Sequence, residues 1–380
     1  MRKLALLLLV CLVPSVQAEP PQAIQDALER AGDNRAEIEQ ALDQVPARQR
    51  KGMQFLVEHM PTQDLASLKT DYLLTNVRFA YQAWQSSPWK ADVPEEIFLN
   101  NVLPYSVINE RRDDWRKDFY ERFAPLVKDA KSPAEAAVIL NQNVFKIVNV
   151  KYSTKRRKPD QSPYESMETG LASCSGLTVL LVDACRSVGV PARFVGTPLW
   201  TNKSGNHSWA EVWDQRWHFT GACEATGNDL DKGWFVGRAA TAKRDDMLHA
   251  IYAVSYKQTP QFFPMVWSQQ DRSVPAVNVT DYYTRLGKPL PEGSVLASVR
   301  VVDASTGQRL AADLKISDEN GELVFAGQSN DERFDANNHV QLQTRVGSRL
   351  QVSYSLNGSS KTHAWQIKKA DQLLTLKIGK

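Results

Sequence analysis

The chain has 380 residues, which is enough for two or three domains and a sizeable hydrophobic core. Its 46 basic and 43 acidic residues nearly cancel, and removal of a leader containing Arg2 and Lys3 would bring them closer still. This charge balance gives no reason to expect a nucleic-acid partner or an anionic membrane surface.

The first residues have the pattern of a secretory signal peptide. A basic start, Met1-Arg2-Lys3, precedes an apolar run over residues 4–13 and the small-residue segment Ser15-Val16-Gln17-Ala18. The apolar run is too short to span a bilayer, and no later stretch is long and apolar enough to do so. We therefore predict a signal peptide over residues 1–18, a periplasmic or secreted protein, and no transmembrane segment.

Residues 19–145 have apolar side chains spaced three and four apart, which predicts a helical region. Two segments have the pattern of helix starts, a capping residue followed closely by proline and then by acids: residues 92–96 and 132–135. The charged segment 111–116, which surrounds Trp115, is interpreted as an exposed helix face.

Residues 146–287 predict a core that mixes helices and strands. An apolar helix follows Ala172-Ser173-Cys174-Ser175-Gly176, and Gly189-Val190-Pro191 ends it before a strand over residues 192–195. A turn at Gly205 and Asn206 leads to the alternating strand 207–213 and then to a second strand, 216–220, which together predict a hairpin.

The composition changes after residue 293. Short alternating runs are separated by turns at 305–307, 319–321 and 357–358, and this spacing predicts a β-sandwich domain over residues 293–380. The predicted fold class is therefore α+β: a helical N-terminal region, a mixed core and a C-terminal β-sandwich.

Removal of the leader leaves three cysteines: Cys174, Cys185 and Cys223. In one helix, Cys174 and Cys185 lie ~16 Å apart at ~1.5 Å per residue, whereas a disulfide needs Cα atoms within about 7 Å. A disulfide between Cys185 and Cys223 stays open, and Cys174 is the expected free thiol.

Residues 166–224 resemble the transglutaminase-like branch of the papain-type cysteine enzymes. The matching elements, in order, are Cys174-Ser175-Gly176-Leu177-Thr178, Gly189-Val190-Pro191-Ala192-Arg193 and His207-Ser208-Trp209-Ala210-Glu211-Val212. The resemblance implies a papain/transglutaminase-like core in which Cys174 is the nucleophile and His207 is its base.

The chain departs from the family pattern at the third catalytic residue. The family usually has Asp four residues after the Trp of the next strand, but the count from Trp217 reaches Gly221. Glu224 is the nearest acid, and its extra methylene gives it more reach, so we predict that it orients His207. Asp214 and Asp183 rank lower. Asn141, Gln142 and Asn143 are candidate donors to an oxyanion, with none preferred.

These features favour a secreted cysteine hydrolase that cleaves peptide or amide bonds, with cell-wall peptides or secreted proteins as substrates. One alternative is a transglutaminase, which transfers the acyl group to an amine. Another is a catalytically degenerate protein that binds peptides or glycans, an alternative that Gly221 keeps open. No cofactor is expected, and no metal site is predicted because His207, His218, Cys174 and Cys223 contain no ligand pair of zinc-type spacing.

Overall fold

The computed structural model describes residues 21–287 and 290–379. The signal peptide predicted at residues 1–18 lies outside these ranges. The α+β prediction is confirmed: helices lead, a mixed core follows, and two mainly antiparallel sheets form the C-terminal part. The helices are α1 (Gln22–Arg30), α2 (Arg35–Gln44), α3 (Arg50–His59), α4 (Thr62–Leu65), α5 (Thr70–Ser86), α6 (Glu95–Asn101), α7 (Arg116–Phe123), α8 (Pro133–Ile147), α9 (Pro163–Thr169), α10 (Cys174–Ser187), α11 (Val236–Ala239) and α12 (Thr280–Leu286).

Fifteen strands are present among the described residues. They are β1 (Lys151–Tyr152), β2 (Leu171–Ala172), β3 (Ala192–Thr197), β4 (His207–Asp214), β5 (Arg216–Thr220), β6 (Tyr252–Val254), β7 (Gln261–Phe262), β8 (Pro275–Asn278), β9 (Ser294–Asp303), β10 (Asp313–Ser317), β11 (Leu323–Gln328), β12 (Val340–Arg345), β13 (Arg349–Leu356), β14 (Ser359–Gln366) and β15 (Gln372–Ile378). Within residues 21–287 and 290–379, no helix combines the length and apolar character needed to cross a lipid bilayer.

The N-terminal helices and the mixed core share one hydrophobic interior, which extends from Ile24 in α1 to Ala276 in β8. Helix α10 lies at its centre, and every residue from 175 to 187 is buried. It packs against α7, α8 and α9 on one side and against β3 and β4 on the other. This all-round burial fixes the position of the N-terminus of α10, where Cys174 lies.

A six-stranded antiparallel sheet covers α10, in the order β5-β4-β3-β6-β8-β7. Strands β4 and β5 form the hairpin that the sequence predicts. In the pairing of β3 with β4, Thr197 lies opposite His207 and Ala192 opposite Val212. His207 is therefore the first residue of a central strand, at the sheet end near the turn that contains Gly205.

The C-terminal strands form two sheets around a separate core of their own. One sheet has the order β11-β10-β13-β14 and the other β12-β9-β15, with β9 and β15 parallel. Their inward side chains include Val299, Ile316, Val352 and Trp365. These strands form the two-sheet packing expected of a β-sandwich, since apolar residues alternate along them and face the space between the sheets.

The charged segment 111–116 differs from its interpretation as an exposed helix face. Asp113, Trp115 and Arg116 are all buried, and α7 begins only at Arg116. The Arg116 guanidinium donates to the carbonyl oxygens of Arg186 at 3.0 Å, Leu103 at 3.0 Å and Pro104 at 2.7 Å. It therefore ties α7 to the C-terminal end of α10. Alternating charges are typical of a solvated helix face in sequence, but here the acceptors of Arg116 are buried carbonyls of α10 and of the segment before α7.

We expect Arg116→Ala to lower the free energy of unfolding by about 3 kcal/mol or more, because it removes several buried hydrogen bonds to carbonyl oxygens and opens a cavity. Urea denaturation followed by tryptophan fluorescence measures this change. The matched control is Arg122→Ala on the same helix, whose ion pair with Asp118 is exposed and contributes about 0.5 kcal/mol or less. Equal effects of the two substitutions would contradict the anchoring role of Arg116.

Candidate active site

Cys174 is the first residue of α10. Ser173 caps the helix, since its Oγ accepts from the Gly176 N–H at 3.2 Å and donates to the Pro159 carbonyl at 2.7 Å. Cys174 is half-buried and belongs to the first turn of the helix. The first turn of a helix is a position where a negatively charged group interacts favourably with the helix dipole.

His207 is almost completely buried, with 1% of its surface exposed. Aromatic rings enclose the imidazole: the ring centroids of Trp234 and Phe235 lie 4.7 and 5.1 Å away, and those of Trp209 and Trp200 lie at 5.8 and 6.2 Å. Trp200 stacks on Trp209 and is itself buried, so it packs against the sheet more than it lines an open cleft. Water is largely excluded from this imidazole, which strengthens its electrostatic interactions with neighbouring groups.

The structure brings the predicted thiol and imidazole together. The Cys174 sulfur, a ring nitrogen of His207 and a carboxylate oxygen of Asp335 all lie within 4.8 Å of one another. Catalytic hydrogen bonds in ligand-free enzymes are often longer than ideal, so this spacing is compatible with proton transfer between Cys174 and His207.

Glu224, the predicted orienting acid, lies next to the other side of the imidazole. Its Oε2 is 3.9 Å from His207 Nε2 and accepts a hydrogen bond from Trp234 Nε1 at 3.0 Å. Burial raises the pKa of Glu224 to about 7, although the nearby His207 opposes the shift. The carboxyl group is therefore in the right region to interact with Nε2 and exchanges its proton near neutral pH.

Gly221, at the position where the family usually has Asp, makes room for Glu224. A Cβ atom added at Gly221 would collide with Glu224 Oε2 and lie 2.9 Å from Glu224 Cβ. The Glu224 side chain thus fills the volume beside Gly221 that an aspartate side chain at position 221 would need. The other two acids lie elsewhere: Asp214 Oδ2 accepts from the Ala134 N–H, and Asp183 is buried within α10.

Asn141 holds the turn that carries Gly221 and Glu224. Its Nδ2 donates to Thr220 Oγ1 and to the Gly221 carbonyl, both at 2.9 Å, and its Oδ1 accepts from the Cys223 N–H at 2.9 Å. The amides of Gln142 and Asn143 donate to the carbonyls of Gly227 and Ile139. The amide donors of these three oxyanion candidates are thus engaged in structural hydrogen bonds.

The remaining cysteines do not form the disulfide that the sequence left open. Cys185 is buried in α10 and Cys223 is exposed, and both are free thiols. Burial raises the pKa of Cys185 to about 12. The Cys185 thiol is therefore not activated as a nucleophile.

Asp335 was not predicted from the sequence, and it is the most buried acid of the site, with 2% of its surface exposed. It belongs to the segment between β11 and β12 of the C-terminal domain, and its Oδ2 lies 3.5 Å from His207 Nδ1. Burial alone would raise its pKa, but His207 and the N–H of Asn337 lower it below the usual value. No sequence signal links this residue to Cys174, since its segment is an ordinary polar loop.

The charge state of His207 follows from these neighbours. Burial alone would lower its pKa, but the Asp335 carboxylate first, and then Cys174 and Glu224, raise it well above the ordinary histidine value. The imidazolium form is therefore favoured at neutral pH. Cys174, His207 and Asp335 also carry the donor types that zinc accepts. Among the described residues, they form the group of three such side chains whose donor atoms are close enough together to hold one metal ion.

Comparison with known proteins identifies the segment that contains these residues. Residues 121–235 match the family model of the Transglutaminase-like superfamily; this segment includes Cys174, His207 and Glu224 and excludes Asp335. No curated protein matches the chain.

Three solved structures illustrate how distant the structural likeness is. A candidate cysteine protease from Cytophaga hutchinsonii is 16% identical, with a TM-score of 0.25, over 30% of this chain and 38% of its own. The Bacillus anthracis TIE protein is 15% identical, with a TM-score of 0.18, over 50% of this chain and 30% of its own. Red sea bream transglutaminase is 10% identical, with a TM-score of 0.28, over 75% and 66%. The chain therefore spans well under half of the first two proteins.

The raised pKa of Glu224 predicts a pH-dependent stability difference between the protein and its Glu224→Gln variant. The Glu224 pKa is about 7 in the folded chain and near 4.5 in the unfolded one, so folding favours the protonated carboxyl. This contribution is complete below pH 4.5 and is lost as the pH rises through 7. We expect the free energy of unfolding of the parent to fall relative to Glu224→Gln over this interval and then to stay constant.

Urea denaturation of both proteins across this pH range measures the difference. Glu121→Gln is the control, because Glu121 is exposed on α7 and pairs only with Lys117. A Glu224→Gln difference that does not vary with pH would show that Glu224 ionises like a solvated carboxyl group.

Proposed function

Since residues 121–235 form a domain of the transglutaminase-like superfamily, we propose that the protein is a cysteine hydrolase that cleaves peptide or amide bonds through a thioester. The observation that carries this proposal is the approach of the Cys174 sulfur, at a helix N-terminus, to the buried imidazole of His207. A thiol in this setting is a nucleophile, whereas Cys185 and Cys223 lack both the base and the helix end.

The proposed reaction has two stages. The Cys174 thiolate attacks the carbonyl carbon of the substrate, a C–S bond forms, and the negative oxygen faces the Cys174 backbone N–H. The imidazolium of His207 gives its proton to the leaving amine as the C–N bond breaks, which leaves a thioester and neutral His207. Water then loses a proton to His207 while its oxygen attacks the thioester, and the carboxylic acid product departs as Cys174 is regenerated.

Glu224 has the proposed role of orienting His207. Its approach to Nε2 and its hydrogen bond from Trp234 support this role, because an acid beside one ring nitrogen fixes the tautomer and rotation of the imidazole. The aromatic rings around His207 exclude water from this pair and thereby strengthen it.

The proposed substrates are peptides or proteins encountered outside the cytoplasm. The signal-peptide pattern of residues 1–18 supports secretion or a periplasmic location, and cell-wall peptides are one substrate class found there. The near-neutral charge of the chain supports a peptide or protein partner over nucleic acid.

We expect Cys174→Ala and His207→Ala each to lower the hydrolysis of dimethylated casein by about 10³-fold or more, because each removes a group that bonds to or exchanges protons with the reacting atoms. New termini identified by mass spectrometry measure hydrolysis. Cys223→Ser is the matched control. We expect it to retain full activity, because this side chain is exposed and takes no part in the proposed reaction.

The same reaction, run with dansylcadaverine present, separates the two enzymatic alternatives. Hydrolysed product in excess of dansyl-labelled protein supports the hydrolase, and labelled product in excess identifies an acyltransferase that admits amines to the thioester. Retention of hydrolysis by Cys174→Ala would exclude a thiol mechanism altogether.

The chain has glycine at position 221, where the family usually has Asp, and an acid at position 224, and this difference can be tested by a rescue experiment. We expect Glu224→Ala to reduce casein hydrolysis at least about tenfold through misorientation of His207, and the double variant Gly221→Asp/Glu224→Ala to recover part of this loss. Gly221→Asp alone is expected to be impaired, because the new side chain collides with Glu224. Full activity of Glu224→Ala would remove Glu224 from the site.

A further inference from the structure

A carboxylate of the C-terminal domain lies on the thiol side of His207. Asp335 Oδ2 is 3.5 Å from Nδ1, while Glu224 is nearest to the opposite nitrogen, Nε2. The carboxylate of Asp335 is also within 4.8 Å of the Cys174 sulfur. The thiol and Asp335 therefore lie on the same side of the imidazole, and Glu224 lies on the opposite side.

This position excludes Asp335 as the orienting acid of a catalytic triad. In a triad the imidazole lies between nucleophile and acid, so the two are separated by the ring and two hydrogen bonds, about 6 Å or more. The 4.8 Å limit on the distance between sulfur and carboxylate is too short for that arrangement. Asp335 instead places a negative charge in the space directly beside the sulfur.

The segment that carries Asp335 is held firmly by its own domain. Arg309 is buried and donates to the carbonyl oxygens of Asp335 at 2.8 Å and of Phe334 at 2.6 Å. The N–H of Asn337 donates to Asp335 Oδ1 at 2.8 Å, which leaves Oδ2 directed towards His207. The carboxylate is thus presented to the site by a buried arginine and a backbone donor, and its placement does not depend on a free side-chain rotation.

The same segment also contacts both sides of the catalytic site. The Ala336 N–H donates to the hydroxyl of Tyr152 at 2.8 Å, and Asn337 Nδ2 donates to the carbonyl of Asn206 at 3.2 Å, next to His207. Gly205 permits the close approach: its φ is +133°, and a Cβ atom there would lie 3.3 Å from the Asn337 amide. Residues 334–337 therefore cross the site from Tyr152 to the turn before β4.

We infer that the C-terminal β-sandwich inhibits the enzyme in cis, by inserting Asp335 between Cys174 and the incoming substrate. The inference rests on the proposed thiol chemistry and concerns the regulation of that same site. Asp335 pairs with the imidazolium charge that would otherwise stabilise the thiolate, and its own negative charge repels the thiolate. Activity then requires residues 334–337 to withdraw from Tyr152 and Asn206.

The test compares Asp335→Ala and Asp335→Asn with the parent in the full chain, with EDTA present throughout. Iodoacetamide labelling at neutral pH, with the labelled residue identified by mass spectrometry, measures the alkylation rate constant of Cys174. Casein hydrolysis measures the catalytic activity. We expect Asp335→Ala to raise the labelling rate by about tenfold or more, because it removes a negative charge beside the thiolate, and to raise hydrolysis as well. Asp335→Asn keeps the bulk and removes the charge, so it raises labelling while hydrolysis stays low.

Asp331→Ala is the matched control. Asp331 belongs to the same segment but pairs with Arg333 away from the site, so both rates remain at the parental values. Lower rates in Asp335→Ala would make Asp335 a residue that assists catalysis, and unchanged rates in both Asp335 variants would mean that it does not restrain the thiol. Either result overturns the inference and leaves the proposed function standing.

A separate comparison tests the proposed function itself. His207→Ala in the Asp335→Ala background is expected to return Cys174 to the reactivity of an ordinary thiol, because the imidazolium is lost. If labelling of Cys174 in the Asp335→Ala protein does not depend on His207, the thiol–imidazole pair is wrong, whatever Asp335 does.

Discussion

The site depends on one buried imidazole placed among charged groups. His207 is 1% exposed, and burial on its own would favour the neutral ring. Two carboxylates reverse this preference, since Asp335 lies near one ring nitrogen and Glu224 near the other. An enclosed imidazole has little water to screen it, so the two neighbouring carboxylates have a strong influence on the charge of His207.

The sequence predicted the parts of the site that local structure determines. Cys174 follows a capping serine at the start of an apolar helix, and His207 begins an alternating strand after a glycine turn, so short patterns identify both residues. Asp335 depends on the docking of one domain onto another, which no local pattern encodes. The burial of Arg116 was mispredicted for a related reason, since its acceptors lie in α10 and in the segment before α7.

Glu224 illustrates why counting along a family motif is less informative than the volume that the motif fills. Position 221 cannot supply an acid, but its lack of a side chain leaves space that the Glu224 carboxyl occupies. Asn141 fixes the turn from Thr220 to Cys223, which sets where the longer side chain begins. The loss of an acid at one position and its gain three residues later are therefore compatible with the same arrangement around His207. In the sequence alone, this exchange is indistinguishable from degeneration of the site.

The two carboxylates have opposite pKa shifts, and this difference connects the C-terminal domain to the chemistry of the core. Asp335 accepts a backbone N–H and pairs with His207, so its pKa falls and it is the stable anion. Glu224 has a single indole donor, and burial together with the nearby Asp335 charge raises its pKa. Withdrawal of Asp335 removes one of the causes that keep Glu224 protonated, so Glu224 becomes a stronger partner for the imidazolium. In the proposed mechanism, withdrawal of residues 334–337 therefore opens the space beside the sulfur and leaves Glu224 as the carboxylate that pairs with the imidazolium of His207.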